Sequence, residues 1–169
     1  LIGVGLMYKQ GYFKQYLSSD GWQQENYPEN DLYHLPIELA TKPNGEPVRI
    51  TVRLLDRDCH AQIWRAQVGR VPLYLLDTNI AENAPTERDL TSGLYAGNNE
   101  NRLRQEILLG IGGVRALKAL NEEPIVYHMN EGHCFLVALE RIRQFVLEKK
   151  LDFETARTVV KSSMVFTTH

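Results

Sequence analysis

The stretch "VRITVRLL" (residues 48–55) decides which kind of fold to expect. Its apolar side chains alternate with charged or hydroxylated ones, and this period of two predicts a strand with one buried face. Such alternation is typical of an antiparallel sheet that packs on a core from one side. Three further strand-like segments lie close by in the chain: 33–40, 60–68 and 71–79. Together they predict an antiparallel β block over about residues 35–76.

Helical spacing replaces this pattern from about residue 101 onward. Five apolar residues recur three or four positions apart: Leu103, Ile107, Ile111, Val114 and Leu117. A short apolar strand follows at "IVYHM" (125–129), then a helix, a second helix that begins near Asp152, and a final strand at "MVFTTH" (164–169). This alternation predicts β-α units over about residues 101–169, with a parallel sheet covered by helices.

The glycines of "GIGG" (110–113) lie in the middle of the first predicted helix. A phosphate-binding loop would follow a strand and open a helix, whereas these glycines have a helical pattern on both sides. Each glycine costs a helix about 1 kcal/mol relative to alanine. We therefore expect a helix face that is kept small so that a neighbouring element can approach it closely.

Composition limits the class of protein. The 169 residues include 43% hydrophobic and 24% charged residues with a net charge of −2, which is the balance of an ordinary globular domain. There is no basic stripe to favour nucleic-acid binding, and no apolar run reaches the ~20 residues of a membrane helix. The two cysteines, Cys59 and Cys134, lie far apart, which favours a reducing, cytoplasmic compartment.

The sequence opens on "LIGVGLMY" (1–8) and stops on "MVFTTH", both strand-like and apolar. Because such segments need neighbours to bury them, we expect residues 1–169 to be a single partial domain, an interior piece of a longer protein. Within it we expect the antiparallel block at 35–79 and the α/β part at 101–169. Residues 80–101 are polar and predict a long ordered loop between the two.

The stretch "VYHMNEGHCF" (126–135) raises the main functional question. His128, Glu131 and His133 are good ligand types for zinc or iron, but their spacing argues against a metal site. Positions 128 and 133 point to opposite faces of a strand, and in a helix they lie about 140° apart. A nucleophilic Cys134 beside His133 is also disfavoured, because adjacent residues do not normally present their side chains to each other. A small buried thiol in the first helical turn is the simpler interpretation.

The position of this stretch suggests another role. It lies where a parallel strand ends and a helix begins, which is where ligands bind in open α/β sheets. The amide of Asn130 and the imidazole of His133 each donate and accept hydrogen bonds, as a polyhydroxylated ligand requires. Two other predicted strands also end in polar residues: 77–79 and 167–169. The pattern leaves two interpretations open, a sugar site and a structural turn with a hydrogen-bonded histidine.

Longer segments, taken in order along nearly the whole chain, resemble the α-glucan (glycogen) phosphorylase family. The resemblance is closest to the shorter bacterial and archaeal branch of that family. It rests on "GVGLMYKQGYFKQ" (3–15), "DGWQQENYP" (20–28), "IWRAQVGRVPLYLLDTNIAEN" (63–83), "LRQEILLGIGGVRAL" (103–117), "VYHMNEGHCFLVALERIR" (126–143) and "VVKSSMVFTTH" (159–169). This collinear set is far more specific than any one motif.

The resemblance implies a partial Rossmann-like N-terminal domain of the GT-B glycosyltransferase fold. The implied enzyme is a hexosyltransferase that uses inorganic phosphate to release glucose 1-phosphate from α-1,4-glucans. Its cofactor, pyridoxal phosphate, would be bound by a lysine of a C-terminal domain that lies outside this chain. The resemblance therefore implies that this piece contains no catalytic, cofactor-binding or metal residue and is inactive alone. The full-length parent is expected to be a cytoplasmic homo-oligomer.

The family also has an Asn-acid-x-His segment at this strand-to-helix junction, written "LNDTHP" in its animal and plant branch and "MNEGHC" here. The resemblance implies that His133 contacts the glucosyl unit at the cleavage subsite, and that Asn130 and Glu131 shape the same turn. Asp77 and Asn79 are expected to line the same cleft.

Two residues of this segment differ from the animal pattern of the family, and one residue downstream matches the family. Gly132 and Cys134 depart from the animal pattern and fit the shorter branch, and the family's downstream glutamate corresponds to Glu140.

Two other classes of protein stay open: a nucleotide-sugar glycosyltransferase of the same fold, such as glycogen or starch synthase, and a non-catalytic glucan-binding module.

Overall fold

The computed structural model describes residues 1–94 and 97–169. The strands in these residues are β1 Gly3–Leu6, β2 Lys14–Leu17, β3 Gln23–Asn26, β4 Ile37–Leu39, β5 Arg49–Leu54, β6 Arg57–Val68, β7 Val71–Asp77, β8 Tyr127–Asn130 and β9 Met164–Thr167. The α-helices are α1 Pro85–Arg88, α2 Asn99–Ile107, α3 Gly113–Ala119, α4 Leu136–Glu148 and α5 Phe153–Ser162. A π-helical segment at Leu108–Gly112 joins α2 to α3. None of the described helices is long and apolar enough to span a membrane.

The antiparallel block forms as the alternation predicts. The long strand β6 pairs antiparallel with β4, β5 and β7, and β1 adds a parallel pair on the other side of β7. In β5 every second residue is buried, and these residues are Ile50, Val52 and Leu54. β6 contributes the fully buried Cys59, Ala61 and Ile63 to the same core. The predicted half-buried strand is confirmed.

The second part of the chain alternates helices and strands, as predicted. β8 and β9 pair in parallel, from Tyr127 opposite Met164 to Asn130 opposite Thr167. Between them α4 and α5 pack against each other, and Arg141 on α4 stacks over the Tyr127 ring at 4.1 Å. The expected fold class, an antiparallel block followed by β-α units, is confirmed.

The "GIGG" segment lies between the sheet and α4, which explains its glycines. A Cβ added at Gly112 would lie 3.2 Å from both Ile50 and Val52 of the sheet. A Cβ at Gly110 would lie 2.7 Å from the Leu136 Cβ and 3.0 Å from the Val137 backbone nitrogen. The small helix face therefore has a close neighbour on each side, as expected.

Replacing Gly110 with alanine is expected to destabilise the chain by up to about 2 kcal/mol, which is an overpacking cost of about 1–3 kcal/mol less the gain in helix propensity. The new methyl group would meet backbone of α4, which cannot move away as the end of a flexible side chain can. This cost exceeds the gain of about 1 kcal/mol from better helix propensity. Gly11→Ala is the control, because no atom lies within 4 Å of the added Cβ there. Chemical denaturation of the two variants measures the difference, and equal midpoints would contradict the packing role.

The segment 80–101 differs from the predicted loop. It contains α1, a 3₁₀ turn at Asp89–Thr91, and the start of α2 at Asn99. Short helices arise here because Pro85 occupies the first turn of α1 and Asn98 caps α2 with its side chain. The part of the prediction that falls on Tyr95 and Ala96 lies outside the described residues.

A buried ion cluster connects the two parts of the chain. Glu140 on α4 is only 2% exposed and pairs with Arg115 of α3 and Arg143 of α4. The Arg115 Nε donates to Glu140 Oε1 at 2.9 Å, and its Nη1 donates to the Thr51 carbonyl of β5 at 2.6 Å. One guanidinium therefore bridges the antiparallel sheet and the helix that follows β8.

Candidate functional site

One of the predicted site residues, His133, lies in an open cavity beside the end of β1. β1 and β7 run parallel and end at Leu6 and Asp77, and β8 and β9 run parallel and end at Asn130 and Thr167. A cavity of about 430 Å³ is lined by residues from the end of β1 and by His133 from the turn after β8. The cavity therefore lies between the carboxyl end of β1, in the β1–β7 pair, and the turn that follows β8. Ligands usually bind beyond the carboxyl ends of the strands in an α/β sheet.

His133 lies in this cavity with its imidazole about two-fifths exposed. Its Nδ1 is 3.9 Å from Glu106 Oε1 on α2, which is too long for a hydrogen bond. The first turn of α2 supplies Asn98, Asn99 and Arg102 to the same lining. The cavity thus offers imidazole, amide, carboxylate and guanidinium groups, all of which can bond hydroxyl groups.

The turn that carries His133 is fixed to the end of β9. Its first residue, Glu131, has a positive φ of 61° with ψ at −176°, and a 3₁₀ turn follows at Gly132–Cys134. The Glu131 backbone N–H donates to the Thr167 carbonyl at 2.8 Å, and Glu131 Oε1 accepts from the His169 N–H at 2.7 Å. The His169 Nε2 is 3.3 Å from Asn130 Oδ1. The structure therefore brings Asn130 and Glu131 together with His169, and one turn residue separates them from His133.

Asp77 and Asn79 lie elsewhere. They line a second cavity of about 590 Å³, whose lining does not include His133. The residues that follow β1 lie between the two cavities, because Tyr8 lines the first cavity while Met7 and Lys9 line the second. The five predicted site residues therefore form two groups rather than one.

Asp77 is also occupied by structural contacts. Only 4% of the residue is exposed, and its Oδ2 accepts from Gln62 Nε2 at 2.9 Å and from Trp64 Nε1 at 3.0 Å. Its Oδ1 accepts from the Asn79 N–H at 2.9 Å, and Arg88 donates twice to the Asn79 side chain. A ligand in the second cavity would have to share these groups with their present partners.

The two histidines considered for metal binding, His128 and His133, face different parts of the structure. The His128 ring bonds Thr167 Oγ1 at 2.6 Å on the β8–β9 pair, whereas His133 faces α2. Within residues 1–94 and 97–169, no group of three or more His, Cys, Asp or Glu side chains could hold a metal ion.

Burial raises the pKa of the Cys134 thiol, although backbone hydrogen bonds partly offset this effect. Burial beside Glu87 raises the pKa of Cys59 to about 12. Both cysteines therefore stay as thiols at neutral pH, and thiols are poor nucleophiles.

Several polar cavity residues were not predicted from the sequence: Asn98, Asn99, Arg102, Gln105 and Glu106. They extend from Asn98, the cap of α2, to Glu106 in its last turn, and the periodicity located this helix only by its apolar residues. A signal did exist in "GNNEN" (97–101), where Asn98 accepts from the Asn101 N–H as a helix cap. A cap ahead of a helix that packs on a parallel strand end is a typical place for a polar ligand.

In fold, the chain is similar to the catalytic domain of starch synthase IV from Arabidopsis thaliana, solved with ADP and acarbose bound. The TM-score is 0.52 at 14% sequence identity, over 79% of this chain and 23% of that one. At this identity the likeness concerns the fold alone. The fold is therefore of the GT-B type that was expected from the sequence, and this chain forms one part of it.

Sequence relatives then identify the family. The chain is 54% identical to glycogen phosphorylase of Mycobacterium tuberculosis, 44% to maltodextrin phosphorylase of Thermococcus litoralis and 38% to glycogen phosphorylase of Aquifex aeolicus. Each match covers all of this chain but only 20%, 20% and 24% of these relatives, in that order. No protein-family profile matches the chain. By its sequence it is a homologue of glycogen and maltodextrin phosphorylases, and it is about one fifth as long as the first two of these relatives.

Proposed function

We propose that this chain is part of an α-glucan phosphorylase, in which inorganic phosphate cleaves the terminal α-1,4 bond of a glucan and glucose 1-phosphate is released. Relatives named glycogen and maltodextrin phosphorylase, at up to 54% identity over the whole chain, support this proposal. Because the chain spans about a fifth of those relatives, the reaction belongs to a longer parent enzyme.

The observation that carries the proposal is the placement of His133. Its half-exposed imidazole lies in a cavity at the carboxyl end of β1, and the lining also includes the first residues of α2. Cleavage of a glycosidic bond builds positive charge on the sugar ring, and fixed polar groups around that ring lower the barrier by orientation and electrostatics. In this role His133 holds the glucosyl unit while Asn130 and Glu131 shape the turn that presents it.

Asp77 and Asn79 are proposed as contacts further along the same cleft. They line the adjoining cavity on the other side of Tyr8, so that a glucan longer than one unit would extend toward them. Their present hydrogen bonds make them weaker candidates than His133.

The described lining of the His133 cavity does not fit pyridoxal phosphate. It contains no lysine, and a lysine amine is the group that binds the cofactor's aldehyde. We propose that a lysine outside this chain holds the cofactor, whose phosphate group would serve in proton transfer. The parent is proposed to be a cytoplasmic homo-oligomer whose C-terminal domain closes the cleft over glucan and phosphate.

The isolated 169-residue chain is expected to show no phosphorolysis and to bind no pyridoxal phosphate. The full-length parent should release glucose 1-phosphate from maltooligosaccharides and show the absorbance of a bound pyridoxal group. Both quantities are measured on purified protein, the first by coupled enzymatic assay and the second by absorption spectroscopy. Turnover by the isolated chain, or a parent without the chromophore, would contradict the proposal.

A nucleotide-sugar glycosyltransferase is the second candidate, favoured by the structural likeness to a starch synthase. That likeness is at 14% identity, whereas the phosphorylase relatives reach 54%. The same parent protein distinguishes the two. A glycosyltransferase would transfer glucose from ADP-glucose or UDP-glucose without bound pyridoxal phosphate, and a phosphorylase would not use either donor.

A further inference from the structure

The backbone of Glu131 adopts a conformation that residues with a Cβ rarely occupy. Its φ of 61° and ψ of −176° fall in a region that is essentially restricted to glycine, and such outliers persist only where the surrounding structure enforces them. A glycine follows directly at position 132, so the turn is not short of flexible backbone. A glutamate at position 131 therefore calls for a role of its side chain that offsets the strain.

The side chain of Glu131 provides that role by bonding the end of β9. Oε1 accepts the backbone N–H of His169 at 2.7 Å, two residues beyond the last residue of the strand. The Glu131 backbone N–H donates to the Thr167 carbonyl at 2.8 Å. A glycine at this position would keep the second bond and lose the first.

These two bonds determine where the polar groups at the strand ends lie. They hold the His169 ring 3.3 Å from Asn130 Oδ1, at the last residue of β8. They also anchor the first residue of the turn whose 3₁₀ segment carries His133 into the cavity. The carboxylate thus connects the end of β9 to the turn that carries His133.

We propose that Glu131 is a positioning residue for the sugar site. Its carboxylate fixes the end of β9 against the turn that presents His133, and the strained backbone is the cost of placing a carboxylate there. This inference rests on the proposed function, because positioning matters only if His133 holds a glucosyl unit. The positioning role of Glu131 differs from a purely structural role. In a structural role the carboxylate would contribute to stability but not to turnover.

The test compares Glu131→Gly with Glu131→Gln in the full-length parent enzyme. Glycine relieves the strain and removes the acceptor, so kcat for phosphorolysis should fall at least tenfold while the thermal midpoint stays level or rises. Glutamine keeps an acceptor oxygen at the same reach, so it should restore kcat to within about threefold of the wild type. The KM for phosphate should change little in either variant, since neither of the two hydrogen bonds of Glu131 involves a group proposed to bind phosphate.

Lys150→Gly is the matched control. Lys150 also has a positive φ, of 57°, but it is an exposed residue just after α4 and far along the chain from the turn. Glycine there also replaces a residue with a positive φ, and it should leave kcat unchanged. Amide hydrogen exchange supplies a readout apart from turnover, because the His169 amide should lose protection in Glu131→Gly and not in Lys150→Gly.

Wild-type kcat in Glu131→Gly, or a fall in kcat that follows a fall in the thermal midpoint, would overturn the proposal. Unchanged protection of the His169 amide in that variant would overturn it as well. If the wild-type parent itself lacks phosphorolysis, the proposed function fails. The amide-exchange comparison then still decides whether the carboxylate holds the end of β9.

Discussion

Replacing Glu140 with alanine is expected to lower the free energy of unfolding by about 3 kcal/mol. The carboxylate is 2% exposed, and Arg115 and Arg143 each donate two hydrogen bonds to it. Removing one partner of a buried ion pair typically costs 3–5 kcal/mol, because the other charge is left uncompensated. Since both guanidinium groups reach solvent in part, we expect the lower end of that range.

Glu148→Ala is the control for this variant. Glu148 lies on the same helix and pairs with Lys118 at 2.6 Å, but the two side chains are 42% and 59% exposed. An exposed pair contributes about 0–1 kcal/mol, so this variant should unfold nearly as the wild type does. Urea denaturation followed by circular dichroism gives both values. Similar losses in the two variants would show that the buried cluster does not hold the sheet to α4.

The same cluster gives an expected pH dependence. Burial would raise the pKa of Glu140, but hydrogen bonds and charge from Arg143 and Arg115 outweigh it and hold the pKa below its ordinary value of 4.5. A carboxylate with a lowered folded-state pKa contributes its full stability above the unfolded value and loses it as the pH falls through the folded value. The difference between wild type and Glu140→Ala should therefore be constant above about pH 4.5 and shrink in more acidic solution.

The strands were predictable from the sequence because their signal is local. The period of two in residues 48–55 follows from side chains that alternate across a strand, and burial of Ile50 and Val52 confirms it. The glycines of "GIGG" were interpreted correctly for a similar reason, since a phosphate loop requires a strand directly before it. Neither inference needed to know which distant residues would meet.

The composition of the site was harder to predict because it depends on which strand ends meet. Asp77 and His133 each follow a predicted strand, yet one is a buried acceptor for Trp64 and the other lines a cavity with α2. Arg102 is exposed and Glu106 is half-buried, and both are polar residues of a helix that the periodicity located only by its apolar residues. The strain at Glu131 is likewise invisible in the sequence, because a single glutamate before a glycine predicts only a turn.

Replacing His133 with alanine in the full-length parent is expected to reduce kcat/KM for phosphorolysis by about 100-fold or more. A group that holds the reacting sugar in place contributes on this scale, because small displacements of the reacting atoms cost about 10²-fold. Bound pyridoxal phosphate should stay stoichiometric, since no lysine lines the described cavity that contains His133. Steady-state kinetics with maltoheptaose and the pyridoxal absorbance of the same sample measure the two quantities.

His34→Ala is the control for a general effect of histidine loss. His34 lies in the 3₁₀ turn Leu32–His34, with 85% of its side chain exposed and its ring bonded only to Asp31 within the described residues. Its removal should leave kcat/KM at the wild-type value. Near-normal turnover in His133→Ala would contradict the assignment of His133 as a sugar contact. Loss of both the activity and the pyridoxal absorbance would instead indicate damage to the fold. A selective loss of turnover, with cofactor and folding retained, is the result that a glucose-binding imidazole at the carboxyl end of β1 requires.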